Sequence, residues 1–329
     1  MDHHRYLGPE GLRVSAIGYG CPPFSGRLLP EDEARAIAVI DRAMELGVTY
    51  IDTADHNKGN NEEILAKALR GKRDRVVLAT KFGNLRGHDR KDGRMVDGRP
   101  EYVRSATEAS LKRLQTDYID LLYLHRVDPQ VPIEETVGAM KRLVEVGKAR
   151  HIGLSEAGPE TLRRAGAVHP ITAVESEYSL LTRDYERDTI PACRASGTGF
   201  VAYYPVGRGL LSASPQDLQG LGPKDSRRAS PRFREEHLVH NLKLHAALSD
   251  IAREQRCTIS QLALAWLLMQ GDFIVPIPGT SSIEHLEENV AAAAIDLSQD
   301  DLERIDALFV PGAVAGSRHQ DDRSKELNI

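Results

Sequence analysis

With 329 residues, 41% of them hydrophobic and 28% charged, the chain has ordinary globular composition and length for one large domain or two small ones. A net charge of −5, with both signs interspersed, gives no reason to expect nucleic acid or an anionic membrane surface as a partner. Three scattered cysteines (Cys21, Cys193, Cys257) form neither a disulfide framework nor a metal-ligand spacing; no apolar run follows the charged start or reaches membrane-spanning length, so a cytoplasmic protein without metal is expected.

In chain order, Arg5–Val14 centres on Gly8-Pro9-Glu10-Gly11 and reads as a β-hairpin closing the bottom of the main domain. Short β-rich runs then recur: Ala16–Gly20, Val48–Ile51, Val76–Thr80, Ile119–Leu124, His151–Leu154, Thr172–Val174, Gly199–Tyr203 and Phe273–Pro276. Stretches of helical period lie between them, at Glu62–Leu69, Pro100–Leu114, Ile133–Val146, Glu160–Ala167 and Asp184–Ala195. In the first helix Ala34, Ile37, Ala38, Ile40 and Met44 form an apolar face interrupted only by Asp41.

Strands alternating with helices imply βαβ units and a parallel sheet, and this many units in one chain fit a closed (β/α)8 TIM barrel, a single domain spanning residues 1–329. A doubly wound sheet is the alternative. It usually carries a G-x-G-x-x-G turn after the first strand, and Gly18-Tyr19-Gly20-Cys21-Pro22-Pro23 lacks the third glycine. Arg86–Arg94, broken by Asp89 and Asp92, reads as a solvated loop, Ser212–His237 as a long polar loop, and Gly312–Ile329 as a polar tail in which Asp321–Lys325 is mobile.

A barrel of this kind places its active site at the C-terminal ends of the strands. Asp52, Lys81 and His125 end three consecutive strands, each close behind an apolar run. Buried lysine and aspartate require pairing, so Asp52 and Lys81 are expected to pair beside His125, which can donate a hydrogen bond to a carbonyl oxygen. Against this stands the plain reading of strand-end polar residues satisfying loop backbone. For Cys21 a small, half-buried residue is preferred over a reactive thiol.

The segments Asp52-Thr53-Ala54-Asp55, Ala79-Thr80-Lys81-Phe82-Gly83, Asp120–His125, Gly147–Ser155 and Pro276-Ile277-Pro278-Gly279-Thr280 together resemble the aldo-keto reductase family, from about Tyr6 to Pro311. The resemblance implies a nicotinamide cofactor, NADPH or NADH, over the barrel mouth, a small-molecule carbonyl substrate, and an Asp–Tyr–Lys–His tetrad for proton transfer. Asp52, Lys81 and His125 match three of the four. Asn57 stands where the tyrosine belongs, and an amide cannot give up a proton; His56, Lys58 or His125 itself remain as substitute acids.

The resemblance also assigns cofactor positions. Gly20 and Cys21 fall on the cofactor's side of the mouth, and Ser155 and Glu156 match the pair that meets the carboxamide. Glu175 occupies a place often held by glutamine beneath the nicotinamide, and Tyr203 one that stacks on the ring. Gly207, Arg208 and Gly209 match a pyrophosphate turn. Gly279, Ser281, His285, Glu288 and Asn289 surround the adenosine, with Ser281-Ser282 where many relatives carry the Lys-Arg pair that grips the 2′-phosphate of NADPH. Two further readings stay open: a lyase, dehydratase or isomerase using Lys81, His125 and Glu175 without redox chemistry, and a non-catalytic cofactor sensor. The substrate pocket is expected between Pro23–Leu29 and Ser212–His237.

Overall fold

The computed structural model describes residues 4–22, 30–85, 94–223, 225–319 and 328, and the backbone alone at residues 30 and 56–58. Pro23–Leu29, most of Arg86–Arg94, Asp321–Lys325 and the side chains of His56, Asn57 and Lys58 therefore lie outside the described part of the chain.

β1 (His4–Leu7) and β2 (Leu12–Ser15) form the expected antiparallel hairpin. Its turn holds two glycines at positive φ, Gly8 and Gly11, joined by the Gly11 N–H donating to Gly8 O at 3.0 Å. Leu7 and Val14 are fully buried and join the side chains inside the barrel, so the hairpin seals its bottom.

The parallel strands run β3 (Tyr19–Gly20), β4 (Tyr50–Asp52), β5 (Val77–Phe82), β6 (Ile119–Leu124), β7 (Ala149–Ser155), β8 (Ala173–Glu177), β9 (Gly199–Tyr203) and β10 (Ile274–Pro276), each paired with the next in the chain. The sheet curls back on itself, and the Gly18 N–H donates to Pro276 O at 3.0 Å across the seam. This is the (β/α)8 barrel that the alternation predicts.

The helices α1 (Pro30–Glu45), α2 (His56–Ala68), α3 (Pro100–Leu114), α4 (Ile133–Glu145), α5 (Pro159–Gly166) and α6 (Thr189–Ser196) pack outside the strands. α2 begins six residues before the predicted start at Glu62, so the backbone at position 57 belongs to a helix's first turn. Within Ser212–His237 a short helix α7 (Pro215–Gln219) forms, and α8 (Glu235–Glu254) starts before that stretch ends. α9 (Ile259–Met269), α10 (Ile283–Ala291) and α11 (Gln299–Leu308) complete the outer layer.

Strand side chains alternate between two cores. Leu78, Leu122, Leu124, Ile152 and Val174 face the helices, whereas Tyr50, Ala79, Leu121, Tyr123, Ala173 and Val201 fill the barrel. The Tyr50 and Tyr123 hydroxyls meet at 3.0 Å in this interior. Glycines make room for the two rings: a Cβ on Gly18 would stand 2.7 Å from Tyr50 Cδ1, and one on Gly153 2.4 Å from Tyr123 Cε1.

Two residues further along the same inward faces lie Asp52, Lys81, His125, Ser155, Glu175 and Tyr203. The period of the strands thus lifts the polar residues one layer above a tyrosine floor. Gly153→Ala should force Tyr123 to move in a packed interior and cost about 1–3 kcal/mol. Urea unfolding would report it as a lower midpoint at unchanged slope; an unchanged midpoint would contradict this packing.

Candidate active site

At the C-terminal mouth a pocket of about 530 Å³ opens among the ends of these strands. The Asp52 carboxylate contacts the Lys81 ammonium directly. Glu175 Oε2 lies 3.1 Å from the same Lys81 Nζ, in ion-pair contact but outside hydrogen-bond angles. All three side chains are buried. Lys81 sits 5.7 Å from the centre of the Tyr123 ring, which supports the cation from below.

One ammonium between two carboxylates sets the protonation. Burial pushes Glu175 up to about 8, the charge of Asp52 adds to this, and Lys81 only partly opposes it. Burial also raises Asp52, against the pull of Lys81. For Lys81 burial acts downward, but Asp52 and Glu175 outweigh it and hold the ammonium charged above its ordinary value. At neutral pH the arrangement is therefore one cation, one anion and one protonated carboxyl.

His125 joins them from the end of β6, its N–H donating to Phe82 O at 2.8 Å. The next residue, Arg126, spends Nη1 on His125 O at 2.6 Å and Ser155 Oγ at 3.1 Å, and its Nε meets no acceptor among the described residues. Cys21 is half-buried beside Asp52; burial and that carboxylate push its thiol up to about 12, so it stays protonated.

A second ionic cluster lies behind Tyr203. Glu156, at φ 55, is fully buried and accepts from Arg318, the Tyr185 hydroxyl, the Tyr203 hydroxyl at 2.6 Å and the Glu177 N–H at 3.0 Å. Arg318 also donates to the Tyr203 hydroxyl at 2.9 Å and the Tyr185 hydroxyl at 3.1 Å, with Nε 3.1 Å from Glu177 Oε2. Burial alone would raise Glu156, but Arg318 and Arg126 hold it down at about 2. His319, on the pocket wall, is pushed down to about 4 by burial and by Arg318, and is neutral at pH 7.

Among the residues expected from sequence, the pocket brings together Gly20, Cys21, Asp52, Lys81, His125, Ser155, Glu175, Tyr203, Arg208 and Gly279. Glu156 lies behind this wall, engaged with Arg318. Gly207 is buried in the turn Gly207–Gly209, where a Cβ would stand 2.2 Å from Leu181 Cδ1. Ser281, His285, Glu288 and Asn289 do not line the pocket; Glu288 accepts from Thr258 Oγ1 at 2.5 Å and from Ser260. The Asn57 side chain is outside the described atoms.

Sequence reasoning missed Arg126, Tyr204, Arg318 and His319. Arg126 was within reach, because it follows His125 at a strand end. Arg318 carries no local signal: it lies in a polar tail and finds its partners 162 positions earlier at Glu156 and 115 earlier at Tyr203.

A parallel barrel whose mouth gathers an aspartate, a lysine and a histidine on three successive strand ends, with a half-buried tyrosine on a fourth, has the form of a barrel oxidoreductase. A sequence profile of the aldo/keto reductase family matches residues 16–309. A probable aldo-keto reductase from Glycine max is 46% identical over 318 residues, covering 95% of this chain and 90% of that protein. Among solved structures, a glycerol dehydrogenase from Gluconobacter oxydans superposes with a TM-score of 0.84 at 25% identity, covering 97% of this chain and all of that one. An aldo-keto reductase from Klebsiella pneumoniae, crystallised with NADPH, gives a TM-score of 0.76 at 29% identity, over 97% of this chain and 99% of that one. The chain belongs to the aldo/keto reductase family.

Arg318→Ala should leave Glu156 and Glu177 buried with one cation fewer, at a cost of about 3–5 kcal/mol. The stability that Glu156 contributes through its lowered pKa is complete above its ordinary value of 4.5 and is lost as pH falls toward 2. The acid-unfolding midpoint followed by near-ultraviolet circular dichroism should therefore rise in Arg318→Ala; an unmoved midpoint would contradict the role of this ion pair.

Proposed function

We propose that the chain reduces the carbonyl of a small molecule with NADPH or NADH. The observation that carries this reading is the Lys81 ammonium, fixed between Asp52 and Glu175 on the floor of a pocket that His125 also lines. A cation held there by buried carboxylates cannot follow a departing anion, and it is already oriented where charge develops on a carbonyl oxygen.

The residues present fit the cofactor. Arg208 lines the pocket and stacks over the Tyr204 ring at 4.5 Å, and no acceptor among the described residues meets its guanidinium. With Gly209 at φ 92 beside it, this turn offers a free cation and close backbone approach to a diphosphate. Ser155 and Tyr203, at the ends of β7 and β9 on either side of β8, would take the carboxamide and the ring face. The Klebsiella relative was crystallised with NADPH, which supports the same class of cofactor here. No lysine or arginine occurs from Gly279 to Asn289, so the adenosine end offers no charged grip on a 2′-phosphate, and NADH should compete with NADPH.

When bound, the reduced nicotinamide supplies hydride to the carbonyl carbon. The chain's own residues do the rest. His125 directs a hydrogen bond to the carbonyl oxygen, Lys81 stabilises the negative charge that grows there, and Asp52 holds Lys81 in place. A tyrosine is not needed for this electrostatic part of the work.

Calorimetric titration should detect binding of both dinucleotides. Lys81→Ala should lower kcat/KM for carbonyl reduction roughly 10²–10³-fold, as loss of an oxyanion donor does, with cofactor affinity changed only a few-fold. Turnover without any nicotinamide, itself lost in Lys81→Ala, would contradict this reading in favour of a non-redox reaction.

A further inference from the structure

Two departures from the family pattern concern the same proton. Position 57 holds asparagine where the family's acid tyrosine belongs, and position 175 holds glutamate where glutamine is common. Glu175 reaches across the barrel from β8 to Lys81 on β5, three strands away, and stands 3.1 Å from its Nζ.

From this geometry we infer that Glu175 is the acid of the active site, giving the substrate oxygen the proton that a tyrosine would otherwise supply. The inference rests on the reductase reading above.

The surroundings of Glu175 demand a proton on it. Asp52 Oδ1 and Glu175 Oε2 are both buried acceptors without a donor among the described residues. Asp52 and Glu175 both stand against Lys81, so a proton on Glu175 removes the repulsion between two buried anions. β4 presents Asp52 and Tyr50 to the group, β5 presents Lys81, β6 presents Tyr123, and Arg126 follows β6. On its flanks, Ser155 and Val201 are its register partners on β7 and β9. Glu175 is thus a titratable group able to shed a proton into a site that already holds Lys81 to receive the charge left behind. Its shift to about 8 matches the pKa of an efficient acid at neutral pH.

Four nearby tyrosine hydroxyls are committed. Tyr50 and Tyr123 bond each other beneath the site, Tyr19 donates to Thr280 O at 2.8 Å, and Tyr203 donates to Glu156.

The step balances. Hydride, delivered with two electrons, forms the new C–H bond, and the carbonyl π pair moves onto oxygen. That oxygen takes the proton of the Glu175 carboxyl, whose O–H bonding electrons stay behind as a carboxylate beside Lys81. The substrate is reduced to an alcohol, the dinucleotide is oxidised, and water at the pocket mouth returns a proton to Glu175.

Glu175→Gln removes the proton but keeps the shape and the hydrogen bonding. We expect kcat to fall roughly 10²–10⁴-fold, the usual worth of a general acid, cofactor affinity to change only a few-fold, and the alkaline limb of the rate profile near pH 8 to vanish. Because the variant no longer buries a group that must ionise as pH rises, it should unfold no more easily than wild type at pH 9, which separates lost chemistry from lost folding. Infrared spectra of the cofactor-free protein give a readout without turnover. A protonated-carboxyl band should titrate near pH 8 in the wild type and be absent from Glu175→Gln. A variant with wild-type turnover and pH profile, or a wild type without that band, overturns the role of Glu175 and leaves the reductase reading standing. A wild type that binds neither NADPH nor NADH overturns the reductase reading itself, and with it any reduction for Glu175 to serve.

Discussion

The ionic arrangement at the mouth of this barrel depends on a single buried ammonium. Taking Lys81 out of water is costly, and two carboxylates placed against it make the charged form the stable one. The same pairing overcommits the site by one negative charge unless one carboxyl stays protonated. The electrostatics that fix the cation thereby also hold a proton on the pair. A glutamine at position 175 would fix the lysine less firmly and supply no proton; an aspartate at position 52 alone would balance the charge but leave nothing to titrate.

A second ionic assembly protects this arrangement from the side. Arg318 returns from the end of the chain to neutralise Glu156 and Glu177, and through the Tyr203 hydroxyl it holds the aromatic ring at the pocket wall. The tail is docked by further contacts: Asn241 donates to Ala315 O at 3.0 Å, and Gly316, at φ 85, lies where a Cβ would stand 2.8 Å from Pro231 C. The positive charge that keeps Glu156 ionised thus comes from Arg318 in the tail and from Arg126.

Much of this was legible in the sequence because it is local and periodic. The strand runs at Ile119–Leu124 and Gly199–Tyr203 and the helix at Pro100–Leu114 coincide with the structure to the residue. Inward parity carries Asp52, Lys81 and His125 to one mouth because each lies two residues beyond a side chain of the barrel interior. Other features depend on distance across the fold and leave no local trace. Contact between Glu175 and Lys81 spans the barrel, and Arg318 is one arginine in a polar tail. The early start of α2 was obscured because its first turn, His56-Asn57-Lys58-Gly59, is polar and contains a glycine, so no apolar period announces it.

The most direct measurement of the central claim is a double-mutant cycle between Lys81→Met and Glu175→Gln, read by urea unfolding at pH 6 and at pH 9. Residues in contact couple by about 0.5–3 kcal/mol. If Lys81 and Glu175 share one buried site, the coupling is present at pH 9, where Glu175 is ionised, and shrinks at pH 6, where it carries its proton. Simple additivity at both pH values would contradict a shared site and remove the basis for assigning the acid.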